Sequence, residues 1–170
     1  MGFLSRSTIM FKRFNTSLKI MIPKKNLLGT NVITQIAIVV KDIEKTSEVY
    51  AKLFGVKTPK WSLTAPREKT NAEYKGKPTD ARAKLAFFRF KNITLELIEP
   101  VDGPSTWKEF LDAKGEGVHH IAFKVKNTGE KVEALKELGM ELSQKGNFTG
   151  GNYAYIDSMD SLKVILELLG

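Results

Sequence analysis

The chain contains no cysteine, so disulfides and thiolate metal sites are excluded, and nothing points to secretion. No apolar run approaches the length of a bilayer span, which excludes a transmembrane helix. Acidic residues are absent before Asp42, whereas Arg6, Lys12, Arg13, Lys19, Lys24 and Lys25 crowd the first thirty positions. The net charge of +8 therefore belongs largely to this tail and falls to +2 without those six residues. The remainder offers no basic patch for phosphates, which argues against a nucleic-acid partner.

What is present suits a folded protein. With 170 residues, 42% of them hydrophobic, the chain can bury a core as one domain or two small fused modules. The tail MGFLSRSTIMFKRFNTSLKIMIPKKN is rich in Arg, Lys, Ser and Thr. That composition fits a mitochondrial presequence, and equally a disordered leader or an upstream start with the true beginning at Met21. Residues 1–28 are set aside from the fold as a flexible basic tail or presequence. The expected location is intracellular: the mitochondrial matrix if the tail is a presequence, the cytoplasm otherwise.

The rest reads as a repeat. VITQIAIVV (32–40) is a β-branched run that predicts a buried strand. DIEKTSEVYAKLFG predicts a helix with Asp42 as N-cap and Gly55 as its end. A polar, proline-containing stretch fills 58–80 and is expected to be a long loop. Two strands follow, AKLAFFRF (83–90) and ITLELIEP (93–100), around a Lys91-Asn92 turn. The order then returns. GVHHIAFKV (117–125) is a strand, and NTGEKVEALKELG a helix carrying Val132, Leu135 and Leu138. MELSQKG, NYAYIDS and LKVILELL are three strands. This places a first β-α-β-β-β module at 30–100, a linker at 101–116 with a short helix around Trp107–Leu111, and a second module at 117–170. Glu99 and Asp102 are expected in the linker, solvated.

The halves also match residue for residue. Q-I-A-I-V-V aligns with H-I-A-F-K-V, so Gln35 corresponds to His120, and Glu96 and Glu167 each sit in a Leu-Glu-Leu triplet of the last strand. Side chains alternate along a strand, so Gln35, Glu96, His120 and Glu167 are expected on the face opposite the helices. His119 is expected on the helix-facing side or at the strand end, without a role. A carboxylate in a buried strand costs several kcal/mol unless compensated, on the order of what a partner charge returns. Taken singly, each of the four has an ordinary structural reading. Their equivalence across the repeat points instead to one shared site. Two carboxylates, an imidazole and an amide oxygen suit a divalent cation, with zinc, cobalt, nickel, manganese and magnesium all compatible. Trp61, Arg67, Tyr74 and Lys77 of the 58–80 stretch are weak candidates for substrate contact, with Arg82 and Lys84 beside them. SQKGNFTGG (143–151) reads as a mobile glycine-rich lid that lacks a phosphate-loop pattern.

LELIEP, STWKEFLDAKGEGVHHIAFKV and VILEL, in that order and spacing, resemble the vicinal oxygen chelate superfamily. That superfamily includes glyoxalase I, methylmalonyl-CoA epimerase, extradiol dioxygenases and bleomycin-resistance proteins. The resemblance covers about residues 30–169 and is strongest to epimerase-like members. It implies an α+β fold in which two paired β-α-β-β-β modules form a cupped mixed sheet with helices outside. It implies one divalent ion held by Gln35, Glu96, His120 and Glu167. It makes Glu167 the base and Glu96 its partner in proton abstraction next to a metal-bound carbonyl. The epimerases usually have His where this chain has Gln35, and a Gln-Glu-His-Glu set resembles glyoxalase I. The implied function is therefore an epimerase-like isomerase acting on a small-molecule thioester. The alternatives are a lactoylglutathione lyase acting on a hemithioacetal and a non-enzymatic binding protein of the bleomycin-resistance type. A homodimer is compatible with each, and neither nucleic acid nor membrane is an expected partner.

Overall fold

Local chemistry sets the element boundaries. Asp42, in an extended conformation, accepts a hydrogen bond from the Lys45 backbone N–H at 2.9 Å and caps helix α1, Ile43–Phe54. Gly55 ends it at φ 64°, a left-handed conformation that glycine adopts without a Cβ penalty. The computed structural model describes residues 26–170, so the presequence expectation lies, up to residue 25, outside the described residues. Leu27 and Leu28 already pack against a buried core, so the folded body starts before the boundary expected from composition.

Among the described residues, ten strands form one mixed sheet. They are β1 (Gln35–Val39), β2 (Ser62–Leu63), β3 (Glu73–Tyr74), β4 (Lys77–Pro78), β5 (Arg82–Arg89), β6 (Thr94–Asp102), β7 (Gly117–Lys124), β8 (Leu142–Phe148), β9 (Gly151–Ile156) and β10 (Ile165–Leu169). Their order is β2-β5-β6-β1-β7-β10-β9-β8-β3-β4. Strands β1 and β6 are parallel, as are β7 and β10, and the antiparallel β1–β7 pair joins the two halves. The chain is α+β, with the cupped mixed sheet that the resemblance implied. Helices α1 and α4 (Thr128–Lys136) cover the outer face over separate apolar clusters. Helix α3 (Thr106–Lys114) lies inside one end of the cup, where Trp107 packs with Ala37, Val39, Ala83 and Ile98.

Four expectations are corrected. Strand β6 runs on through Pro100 to Asp102, where a bulge against Arg82/Ala83 accommodates a residue with no N–H to donate. Glu99 is therefore not a solvated linker residue. It pairs with Lys84 at 2.7 Å and accepts the Ile43 backbone N–H at the start of α1. The linker helix spans Thr106–Lys114, longer than the five residues expected. Helix α4 stops at Lys136, so Leu138 falls outside its periodicity and is 50% exposed. The stretch 58–80 is not a simple loop. It carries β2, a short helix α2 (Arg67–Thr70), β3 and β4. Strand β2 pairs with β5 near one edge of the sheet, and β3 pairs with β8 near the other. The stretch is a strap from one rim of the cup to the opposite rim.

Candidate metal centre

The antiparallel register of β1 and β7 builds the floor of the site. Gln35 faces Ala122, and His120 faces Ala37. The neighbouring strands extend the two rows: Glu167 stands beside Ala122, and Glu96 beside Ala37. The Q-I-A and H-I-A segments thus set each polar residue against the other segment's alanine. Ala37 and Ala122 are fully buried and too small to fill the space above them. Four long polar side chains fold into that space instead.

They meet there. Gln35 Nε2 donates to Glu96 Oε2 at 2.7 Å and to Glu167 Oε2 at 3.3 Å, and lies 3.2 Å from His120 Nε2. His120 Nε2 is 3.4 Å from Glu96 Oε2 and 3.1 Å from Glu167 Oε2. Glu96 and Glu167 are 5% and 4% exposed, and His120 is fully buried. One ligand atom from each of these three lies within 4.8 Å of the other two. Burial penalises the charged form of His120, but the charges and hydrogen bonds of Glu167 and Glu96 outweigh it and lift its pKa to about 9. Burial raises the pKa of Glu96, against the opposing pull of His120.

The donor set fits a divalent cation: two carboxylate oxygens, an imidazole nitrogen and an amide, with no thiolate. Gln35 turns its amide nitrogen to the carboxylates, and a cation would require its oxygen there. The soft, two-fold terminal torsion of the side chain supplies that exchange.

His119 departs from expectation for a backbone reason. Ala37 faces His120 while Ile38 faces Val118, so β7 bulges and His119 is left unpaired. The bulge breaks the strict alternation. His119 Nδ1 lies 3.0 Å from His120 Nδ1, and its ring packs edge-on against Phe110 and Tyr155. Burial, then the charge of His120, push the His119 pKa down to about 3, with Thr106 acting weakly the other way. His119 is therefore neutral and His120 an imidazolium at neutral pH. It follows that His120 Nδ1–H donates, His119 Nδ1 accepts, and the His119 proton sits on Nε2. This leaves His120 Nε2 turned to the carboxylates.

A cavity of about 610 Å³ opens above the cluster, with Gln35, Glu96 and Glu167 at its base. Its wall includes Trp107, Tyr153 and Tyr155, and the exposed Arg89 and Phe148 stand at its edge. The strap contributes small neutral residues, among them Thr64, Ala65 and Ala72. The weak candidates of the strap turn elsewhere. Trp61 donates to Glu44 at 2.9 Å, and Arg67 pairs with Asp80 at 2.9 Å. Tyr74 donates to Glu109, and Lys77 lies exposed in the edge strand β4. Arg82 donates to the Thr64 carbonyl, and Lys84 is held by Glu99. None of these six lines the cavity. The segment 143–151 forms most of β8 and a turn, and Phe148 and Thr149 reach the cavity. The aromatic wall went unread in the sequence. Its one signal is N-Y-A-Y, whose alternation places Tyr153 and Tyr155 on one face, Tyr155 beside Glu167.

Comparison with known proteins bears on this geometry. Residues 34–156 match the model of the Glyoxalase/Bleomycin resistance protein/Dioxygenase superfamily. An uncharacterized protein, YqjC, of Bacillus subtilis strain 168 is 34% identical over 92 residues, 52% of this chain and 66% of that one. The chain thus spans just under two thirds of that relative's length. A hypothetical protein from Bacillus halodurans C-125 superposes with a TM-score of 0.57 at 23% identity, covering 81% of this chain and 91% of that one. A methylmalonyl-CoA epimerase in complex with methylmalonyl-CoA and NH4+ superposes with a TM-score of 0.56 at 21% identity, covering 81% and 92%. At these identities the solved structures speak for the fold.

Proposed function

The chain belongs to the glyoxalase/bleomycin resistance protein/dioxygenase superfamily, and from that premise we propose that it is a metal-dependent isomerase of the methylmalonyl-CoA epimerase type. The observation that carries this is a pair of buried carboxylates, Glu96 and Glu167, set on either side of the Gln35 amide at the base of a cavity. Gln35, Glu96, His120 and Glu167 would hold the ion. When bound, it supplies a Lewis acid that polarises a substrate carbonyl.

The side chains account for the proton movements. Glu167 takes the proton from the carbon next to the carbonyl, as a general base within reach of the cavity. Glu96, whose pKa burial raises, returns a proton from the opposite side. Return to the opposite face of the same carbon inverts it. The aromatic wall and the strap line the space in which this exchange takes place. Gln35 supports a second reading, because the same set with return to the neighbouring carbon would serve a glyoxalase I reaction.

A paired assay tests both. The full chain, loaded in turn with zinc, cobalt, nickel, manganese and magnesium, is given methylmalonyl-CoA in D2O and the methylglyoxal–glutathione adduct. Deuterium uptake at C2 of the thioester is the expected result, lost by about a thousandfold in Glu167→Gln. Isomerisation of the adduct alone would transfer the assignment to the second reading. Ligand binding without turnover, unaffected by chelation, would place the chain among the non-enzymatic binding proteins.

A further inference from the structure

Among the described residues, three charged side chains line the cavity. Glu96 and Glu167 lie at its base, and Arg89 stands at its edge. The rest of the lining is neutral, from Ser62, Thr64 and Ala65 of the strap to Asn147, Phe148 and Thr149 on the β8 side. The cavity is therefore polarised, with acid at the floor and one cation at the rim. Strand register fixes where that cation stands. Arg89 pairs with Thr94, and Thr94 with Gln35, so the three form one row across β5, β6 and β1 on the face that carries the cluster. By the ordinary strand spacing, Arg89 stands about 10 Å out from Gln35 along this row.

Arg89 is held without being neutralised. Cations of the strap and of the two rim strands are claimed by acids: Arg67 by Asp80, Lys84 by Glu99 and Lys145 by Glu73. Arg89 has no such partner among the described residues. Its guanidinium lies over the ring of Phe87, 5.0 Å from the centroid. Phe87 is two residues back on the same face of β5, stands beside Glu96 and also lines the cavity. A ring restrains a guanidinium but leaves its charge uncompensated and its N–H donors unfilled.

We infer that Arg89 is a specificity-determining residue that takes an anionic group, a phosphate or a carboxylate, on the tail of the substrate. The inference rests on the reading that this cavity is the substrate site. Position decides which part of the substrate Arg89 meets. A reacting carbon held over Gln35 and the two glutamates is separated from Arg89 by two strand spacings, about 10 Å. An acid group bonded beside that carbon falls short of the arginine, and one farther along the tail reaches it. Charge decides the direction. The acidic floor repels an anionic tail and the rim attracts it, so the reacting end points inward. The planar fork of the guanidinium matches two oxygens of a phosphate or a carboxylate at once.

Tail probes that carry no reacting group separate this subsite from catalysis. The full zinc-equilibrated chain is titrated by calorimetry with S-methyl coenzyme A against S-methyl pantetheine, which lacks the phosphates. In a second arm S-methyl glutathione is set against its diester, which lacks the free carboxylates. At least one acidic probe should bind about tenfold more tightly than its counterpart, the usual worth of a hydrogen bond to a charged group. Preference in the first arm identifies a phosphate, and preference in the second a carboxylate. Raising the salt should shrink it, because Arg89 is exposed. Arg89→Met should abolish the preference. Arg89→Lys, which keeps the charge and loses the fork, should retain part of it. No preference in either arm, or a preference that survives Arg89→Met, would overturn the inference. Failures of the two readings separate. An Arg89-dependent preference without turnover of either thioester or hemithioacetal sinks the proposed function alone. Turnover with the same KM in Arg89→Met sinks the subsite alone.

Discussion

On the proposed metal-binding reading an ion and a proton would compete for His120, and the structure sets the terms. The imidazole is pinned between Glu96 and Glu167, and its pKa stands at about 9 in the ion-free protein against 6.5 for a free side chain. A raised folded-state pKa stabilises the fold fully below about pH 6.5 and ceases to do so as pH climbs through 9. The shift corresponds to about 3 kcal/mol of ion-free stability lost over that window. Binding of a dication requires neutral imidazole, so the sign reverses for affinity. At pH 7 the proton must be displaced at a penalty of roughly a hundredfold in affinity, about 2.7 kcal/mol. Ion affinity should therefore rise about tenfold per pH unit from neutrality and level off near pH 9. Calorimetry of zinc binding with a competing chelator, in two buffers of different ionisation heat at pH near 7, should report at least about one proton released per ion. A pH-independent affinity, or no proton release, would refute the electrostatic account of the cluster.

Other perturbations have defined outcomes. His119→Phe removes the acceptor that orients His120, and zinc affinity should fall by tenfold or more, as measured by chelator competition, with the circular dichroism spectrum unchanged. Gly103→Ala places a Cβ 2.6 Å from the Ala81 backbone nitrogen at φ +66°, where the strap returns beside β6. It should cost about 2 kcal/mol and lower the melting temperature by about 4 °C or more. Deleting residues 1–28 should lower the melting temperature more than deleting 1–25, because only the first removes Leu27 and Leu28 from the core over α4. Equal melting points would show that those two leucines contribute nothing.

The repeat was legible because it lives in residue types. Q-I-A against H-I-A, and the two Leu-Glu-Leu triplets, place four polar side chains by strand alternation alone, and the structure brings those four together. What escaped reading depends on backbone events or distant pairing. A bulge at His119 leaves no mark in a period-two pattern. Strands of two residues, such as β2 and β3, are too short for any periodicity to announce them. Pro100 looks like a stop, yet sits where a bulge relieves the need for its missing N–H. Trp61 and Arg67 have the right chemistry for a ligand, but partners on their own surface claim them. The aromatic wall joins Trp107 of α3 to two tyrosines of β9, an association with no local signature.

The strap also sets an order of assembly. Strand β3 leaves the ribosome about seventy residues ahead of β8, the strand it must pair with. Until β8 is made, β3 and the β4 hairpin attached to it have no sheet to join. β1 likewise waits for β7 on its inner side. For all its internal symmetry, the amino-terminal half synthesised alone would expose unsatisfied strand edges and the bare floor of the cup, so fragments divided at the repeat boundary are expected to associate or aggregate rather than stand apart.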